Sequence, residues 1–170
     1  MNRALRSIRE VMRDIRHKEN DMIKVEVRGY KGAGFGSKFI QRWTRSEYSH
    51  VSFVFHMGHS VEEVEAIQWR GVIAHTHHCN TKKDFDTYNI PLTYEQVLEA
   101  RELALSFVGA KYDWQAIRAF IRHRKNHSLD KWICSELVAY VLLKVGYPLS
   151  RREPFLESPS SVCESLRLLS

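Results

Sequence analysis

Residues Tyr48 to Met57 read YSHVSFVFHM, and this decapeptide decides the architecture. Apolar and polar residues alternate along it with a period of two, as in a strand with one face in a core. Val51, Phe53, Phe55 and Met57 are set to face one way, and His50, Ser52, Val54 and His56 the other. Partner strands flank it on both sides. Upstream, Ile23, Val25 and Val27 alternate with charged residues as far as Gly29. Downstream, Gly58 and Ser60 mark a turn, 61–68 returns as a strand, and 72–76 follows after Gly71. A further strand is expected around Tyr88 to Ile90, closed by Pro91.

From Thr93 the period changes to that of a helix. Thr93 stands three residues before Gln96, the spacing of a capping box, and Gly109 is the expected C-cap. A second, basic helix is expected over 113–124. The stretch beginning at Cys134 presents Leu137, Val138, Val141, Leu142 and Val145 on one helical face, with Gly146 and Pro148 ending it. The tail is expected to be irregular, with a short helix near Val162 to Leu168. Short helices are also expected over 3–17 and 37–44, with a loop from Lys31 to Gly36 between β and helical segments. The pattern as a whole is α+β, strands first and helices after.

Length and composition set bounds on this reading. The chain has 170 residues, enough for one domain with a real core, and only 4 Pro and 8 Gly. No apolar run approaches the ~20 residues that span a bilayer. The opening residues MNRALRSIREVMRDIR lack the apolar block of a secretory signal. Three widely spaced cysteines, Cys79, Cys134 and Cys163, disfavour a disulfide framework. A reduced, cytoplasmic chain is the expectation, with export by a non-classical or phage-type route the alternative. The net charge is +6, and residues 1–20 (+3) and 118–131 (+4) supply all of it. A basic footprint confined to two segments argues against a specific nucleic-acid reader. It leaves contact with an anionic surface open for both segments.

Cys134 is the most informative position. A cysteine in the first turn of a helix lies near unpartnered N–H groups and the positive end of the helix dipole. Both favour the thiolate that a nucleophile requires. The bland alternative is a buried structural thiol among Trp132 and Ile133. A thiolate needs a base, and His50 opens the central strand on its polar face; His56 competes from six residues further along. Glu65, fifteen residues after His50 across a turn, is placed to orient that imidazole. Glu62 and Glu63 are read as solvated charges at the entry to the strand.

These residues resemble a known family. The stretches QRWTRSEYSHVSFV (Gln41 to Val54), EAIQWRGV (Glu65 to Val72), GAKYDW (Gly109 to Trp114) and WICSELVAYVLLKVGYPLSR (Trp132 to Arg151) look like the permuted NlpC-type papain-like cysteine hydrolases. In that branch the histidine strand precedes the cysteine helix, as here, and the branch is distantly similar to the lecithin retinol acyltransferase group. The resemblance covers roughly residues 22 to 165. It implies a circularly permuted papain-like fold over 21–170, a small antiparallel sheet packed against helices, with 1–20 as an amphipathic helical extension. It further implies Cys134 as nucleophile, His50 as general base and acid, Glu65 as the polar third residue, and Tyr112 lining the site and assisting the oxyanion. No cofactor is implied. The expected substrate is a peptide, lipid or cell-wall amide or ester, with acyl transfer as a variant of hydrolysis. Many peptidoglycan-cleaving members carry Asp before the cysteine and Gly two residues after it; this chain has Ile133 and Glu136. That difference, with Trp132 and Ile133 leading to the cysteine, points away from stem peptides and toward an acyl chain or another amide.

Two readings compete. The first is a catalytically silent binding module of the same fold that uses its basic segments. The second is a zinc-binding protein through His75, His77 and Cys79, which would share one face of a strand.

Overall fold

The computed structural model describes residues 23–32, 38, 40–42, 46–58, 60–77, 84–114 and 130–169. Five strands form one antiparallel sheet: β1 (Ile23–Tyr30), β2 (His50–Met57), β3 (Ser60–Ile67), β4 (Gly71–His77) and β5 (Phe85–Ile90). Their order across the sheet is β4-β3-β2-β1-β5, which puts YSHVSFVFHM in the middle. Helix α1 (Tyr94–Ser106) follows. Two short strands, β6 (Lys111–Tyr112) and β7 (Lys131–Trp132), pair in parallel, and α2 (Cys134–Lys144) starts two residues later. A 3-10 turn (Pro154–Leu156) and α3 (Pro159–Leu169) complete the described chain. The fold is mixed α and β, a five-stranded antiparallel sheet against helices.

The core face of β2 is as its spacing predicts, but the opposite face is not open: Ser52 and Val54 are buried too. Val51, Phe53 and Phe55 are fully buried together with Val25, Val27, Val64 and Val72 from the neighbouring strands. Leu137, Val138, Val141 and Leu142 of α2 and Val97, Ala100 and Ala104 of α1 close over them. Each such aliphatic or aromatic side chain contributes ~1.5–3 kcal/mol on leaving water. Gly29 lets α3 come close: a Cβ there would stand 2.5 Å from Cys163 Sγ.

Several boundaries differ from expectation. The Thr93–Gln96 capping box is formed, but α1 stops at Ser106 with Phe107 as its C-cap. Gly109 lies beyond it at φ 92°, where the chain leaves the helix to hook onto β4. There Val72 N–H donates to Ala110 O (2.9 Å) and Gly109 N–H to Val72 O (2.9 Å). Strand β5 starts at Phe85, because Phe85, Asp86 and Thr87 pair with Tyr30, Gly29 and Arg28. Helix α3 starts at Pro159, three residues before the expected Val162, since proline suits a first helical position. Ser158 and Ser161 exchange side-chain and backbone bonds across that start. The expected helix over 3–17, nearly all of that over 113–124, and most of the loop at 31–36 lie outside the described residues. In the segment 37–44, the described positions 38 and 40–42 are helical.

Candidate active site

The site forms where the sheet splits. Strands β2 and β3 pair from Met57–Ser60 to Phe53–Val64 and no further. Strand β3 instead continues beside β4 through Ile67–Gly71. The first residues of β2 are thereby released on their β3 side, and α2 begins against them. Val51 N–H donates to the Cys134 sulfur from this opening.

Cys134 is the first residue of α2, after Ile133 as an N-cap that makes no side-chain cap bond. The first-turn N–H groups are therefore left for other acceptors. Ser135 N–H is one, donating to the same sulfur. Burial by itself raises the Cys134 pKa, but the positive charge and hydrogen bond of His50, with the Val51 and Ser135 N–H groups, bring it below the ordinary thiol range.

His50 is the counterpart. Its Nε2 lies 2.6 Å from Glu65 Oε2, which leaves Nδ1 for the sulfur. Burial opposes the charged ring, yet the Cys134 thiolate and then Glu65 outweigh it, and the imidazole pKa is pushed up to about 10. Both shifts favour a thiolate–imidazolium pair, with a buried carboxylate behind the ring. Glu65 reaches His50 diagonally, because the ladder between their strands has already stopped.

Tyr112 closes another side. It is buried next to Cys134, and its hydroxyl accepts from the side chain of Gln68 in the β3–β4 turn. Burial, the sulfur and Asp113 all raise its pKa, so the hydroxyl keeps its proton and can donate it in a hydrogen bond. The two-residue pairing of β6 with β7 sets Tyr112 beside Trp132, and Asp113 N–H donates to Trp132 O (3.1 Å). The residues just ahead of Cys134 have a different role from the one expected. Trp132 is fully buried between the rings of Phe107 (4.4 Å) and Tyr140 (5.1 Å), and Ile133 is also in the core. Neither forms a substrate approach.

Glu63 is not the solvated charge expected from its neighbours. It is buried, and it accepts from the hydroxyls of Tyr30 and Ser52 (2.6 Å from Ser52). The Arg28 guanidinium lies 3.7 Å away. His75, opposite Glu63 in the ladder, brings Nε2 to 3.6 Å from Glu63 and 3.7 Å from Glu65. Glu63, Glu65 and His75 hold one ligand atom each within 4.8 Å of one another. Hydroxyls and a guanidinium already serve Glu63, and His50 takes Glu65, so these groups form a charge network behind the histidine. In the zinc reading, His75 faces these carboxylates, whereas Cys79 and the side chain of His77 lie outside the described residues. His56, the rival base, lies 3.0 Å from Glu26 at the far end of β2.

The structure brings together Cys134, His50, Glu65 and Tyr112. Sequence reasoning missed Gln68 and the Tyr30–Ser52–Glu63–Arg28 network. Glu63 was in reach of the period-two rule, which puts it on the same face as Glu65. Gln68, a turn residue with no motif of its own, carried no such signal. Among known proteins, no family model matches the chain and no curated protein matches it. No helix among the described residues is long and apolar enough to cross a membrane.

Proposed function

We propose that the chain is a cysteine hydrolase of amide, ester or thioester bonds, with a circularly permuted NlpC-type papain-like fold. The observation that carries this is the line Cys134–His50–Glu65: a cysteine sulfur at a helix start, an imidazole in hydrogen-bond contact with it, and a carboxylate 2.6 Å from the other ring nitrogen. The chain order supports it, with the histidine strand ahead of the cysteine helix.

The Cys134 sulfur attacks the substrate carbonyl, and the carbonyl electron pair moves onto oxygen. Helix-start N–H groups and the Tyr112 hydroxyl are the donors available to that oxyanion. As the tetrahedral centre collapses, the His50 imidazolium gives its proton to the departing amine, alcohol or thiol, leaving an acyl–sulfur bond. Neutral His50 then takes a proton from water, whose oxygen attacks the acyl carbon and releases the acid and the free thiolate. Replacing water by another nucleophile turns hydrolysis into acyl transfer. Glu65 holds the ring and stabilises its charge throughout. The reaction calls on no cofactor.

The test is capture of the acyl-enzyme. Incubation with an activated acyl ester, followed by acid quench and peptide mass mapping, is expected to place one acyl group on Cys134 and none on a Cys134→Ala variant. Turnover without an adduct on Cys134, or a folded protein with neither adduct nor turnover, contradicts the proposal and leaves a binding module.

A further inference from the structure

The turn that carries Gln68 also carries Trp69, which contributes little to the core. Its backbone is left-handed, at φ 71°, the one non-glycine with positive φ among the described residues. Bulky side chains avoid that region, and such conformations concentrate at functional sites. Its indole is 85 % exposed. The ring leans on that of Trp114 (4.6 Å between centroids), itself 38 % exposed, and Trp114 meets Tyr112 edge-on (5.3 Å). An aromatic track therefore runs from solvent to the tyrosine beside Cys134.

Basic residues lie on the segments that carry the outer end of the track. Arg70 follows Trp69 directly and is exposed. The backbone of Gly71 is pressed against Ala110 and Lys111, which brings β6 against this turn. Lys111 is exposed, and Lys131 stands opposite it in the β6–β7 ladder. On these segments only Asp130 is an exposed acid, since Asp113 is buried. Behind the turn, Arg70, His75 and Glu65 line a cavity of about 450 Å³ with Ile67, Ile73 and Val108.

Exposed tryptophans on segments that also carry Arg70, Lys111 and Lys131 match the chemistry of a lipid–water boundary. Indoles settle at headgroup depth, and cations are drawn to the negative potential of the surface. We propose that the rim formed by Trp69, Trp114, Arg70, Lys111 and Lys131 docks the protein on an anionic bilayer, with the mouth of the cysteine site facing the headgroups. The proposal rests on the acyl-hydrolase reading only for which face holds the mouth of the site. The charge pattern is what selects the occupant: a neutral partner uses the indoles but gives the three cations no role.

Flotation tests the proposal with the full-length Cys134→Ala protein, which is catalytically silent, so binding is scored apart from catalysis. The probes are vesicles of phosphatidylcholine alone and of phosphatidylcholine with about one-third phosphatidylglycerol. Binding is expected to the anionic vesicles, weaker on the neutral ones and weakened by salt. Trp69→Ala is expected to lower it about tenfold. Arg70→Glu is expected to lower it about fivefold or more. Lys24→Glu, on an exposed residue of β1, is the control and is expected to leave it unchanged. Circular dichroism checks that each variant is folded. Absence of binding to anionic vesicles overturns the proposal. So does binding that ignores both Trp69→Ala and Arg70→Glu, or that falls equally with Lys24→Glu. Any of these outcomes leaves the acyl-enzyme reading standing, because that reading is judged by the adduct on Cys134.

Discussion

Cys134 and Cys163 are both buried thiols on helices packed against the same sheet, and they differ in nearly every chemical respect. Cys163 lies inside α3, its sulfur where a side chain on Gly29 would be, and burial pushes its pKa up to about 12 despite a hydrogen bond with Tyr88. Cys134 is at the start of α2, with two backbone N–H groups and an imidazolium directed at its sulfur, and its pKa goes down. Burial is common to both and disfavours the thiolate in both. What separates them is position along a helix and the split between β2 and β3, which frees a backbone donor and lets His50 and Glu65 reach the sulfur. In the proposed reading, it is the partners of the thiol that make Cys134 a nucleophile, whereas Cys163 fills space in the core.

The contrast can be broken most severely at His50. His50→Ala removes the proton donor and the charge that lowers Cys134, and acyl transfer is expected to fall by about 10²- to 10⁴-fold in a steady-state assay. Removing Glu65 acts through the histidine. Glu65→Gln deletes one of the groups that raise the His50 pKa, so the alkaline limb of the pH–rate profile, expected near pH 10, moves to lower pH. The sign follows from the pair. A raised His50 keeps its proton as pH climbs through its unfolded value of 6.5 and loses it only near 10. A lowered Cys134 loses its proton earlier than an ordinary thiol, so the ion pair occupies the interval between these two titrations. An unmoved alkaline limb in Glu65→Gln would show that the carboxylate is only packed there. The smallest effect is expected on the Cys163 side. Gly29→Ala crowds Sγ and is expected to cost about 1–3 kcal/mol in chemical denaturation, with the Cys134 chemistry preserved.

Most of the sheet was legible because β2 sets Val51, Phe53 and Phe55 on one face and because Gly58, Gly71 and Pro91 punctuate the strands around it. The helix at Cys134 was legible from its apolar face, and the nucleophile from its place at the start of that helix. His50 and Glu65 could be paired because a turn separates two period-two segments. The strands β6 and β7 were not legible: two residues carry no period, and their pairing depends on β4 and α2 being in place already. Trp132 was misassigned for a similar reason, since nothing local tells a tryptophan near a site from one held between Phe107 and Tyr140. Glu63 shows the limit of reading charges singly. Its burial depends on Tyr30, Ser52 and Arg28, which come from two other strands.

The most direct measurement of the central claim is the alkylation rate of each cysteine by iodoacetamide as a function of pH, resolved by peptide mapping of the folded protein. Cys134 is expected to react at neutral pH, with a midpoint below that of an ordinary thiol. Cys163 is expected to stay unlabelled across the same range and to react only when the protein is unfolded. Equal labelling of the two, or a Cys134 midpoint at or above the ordinary thiol value, would contradict the claim.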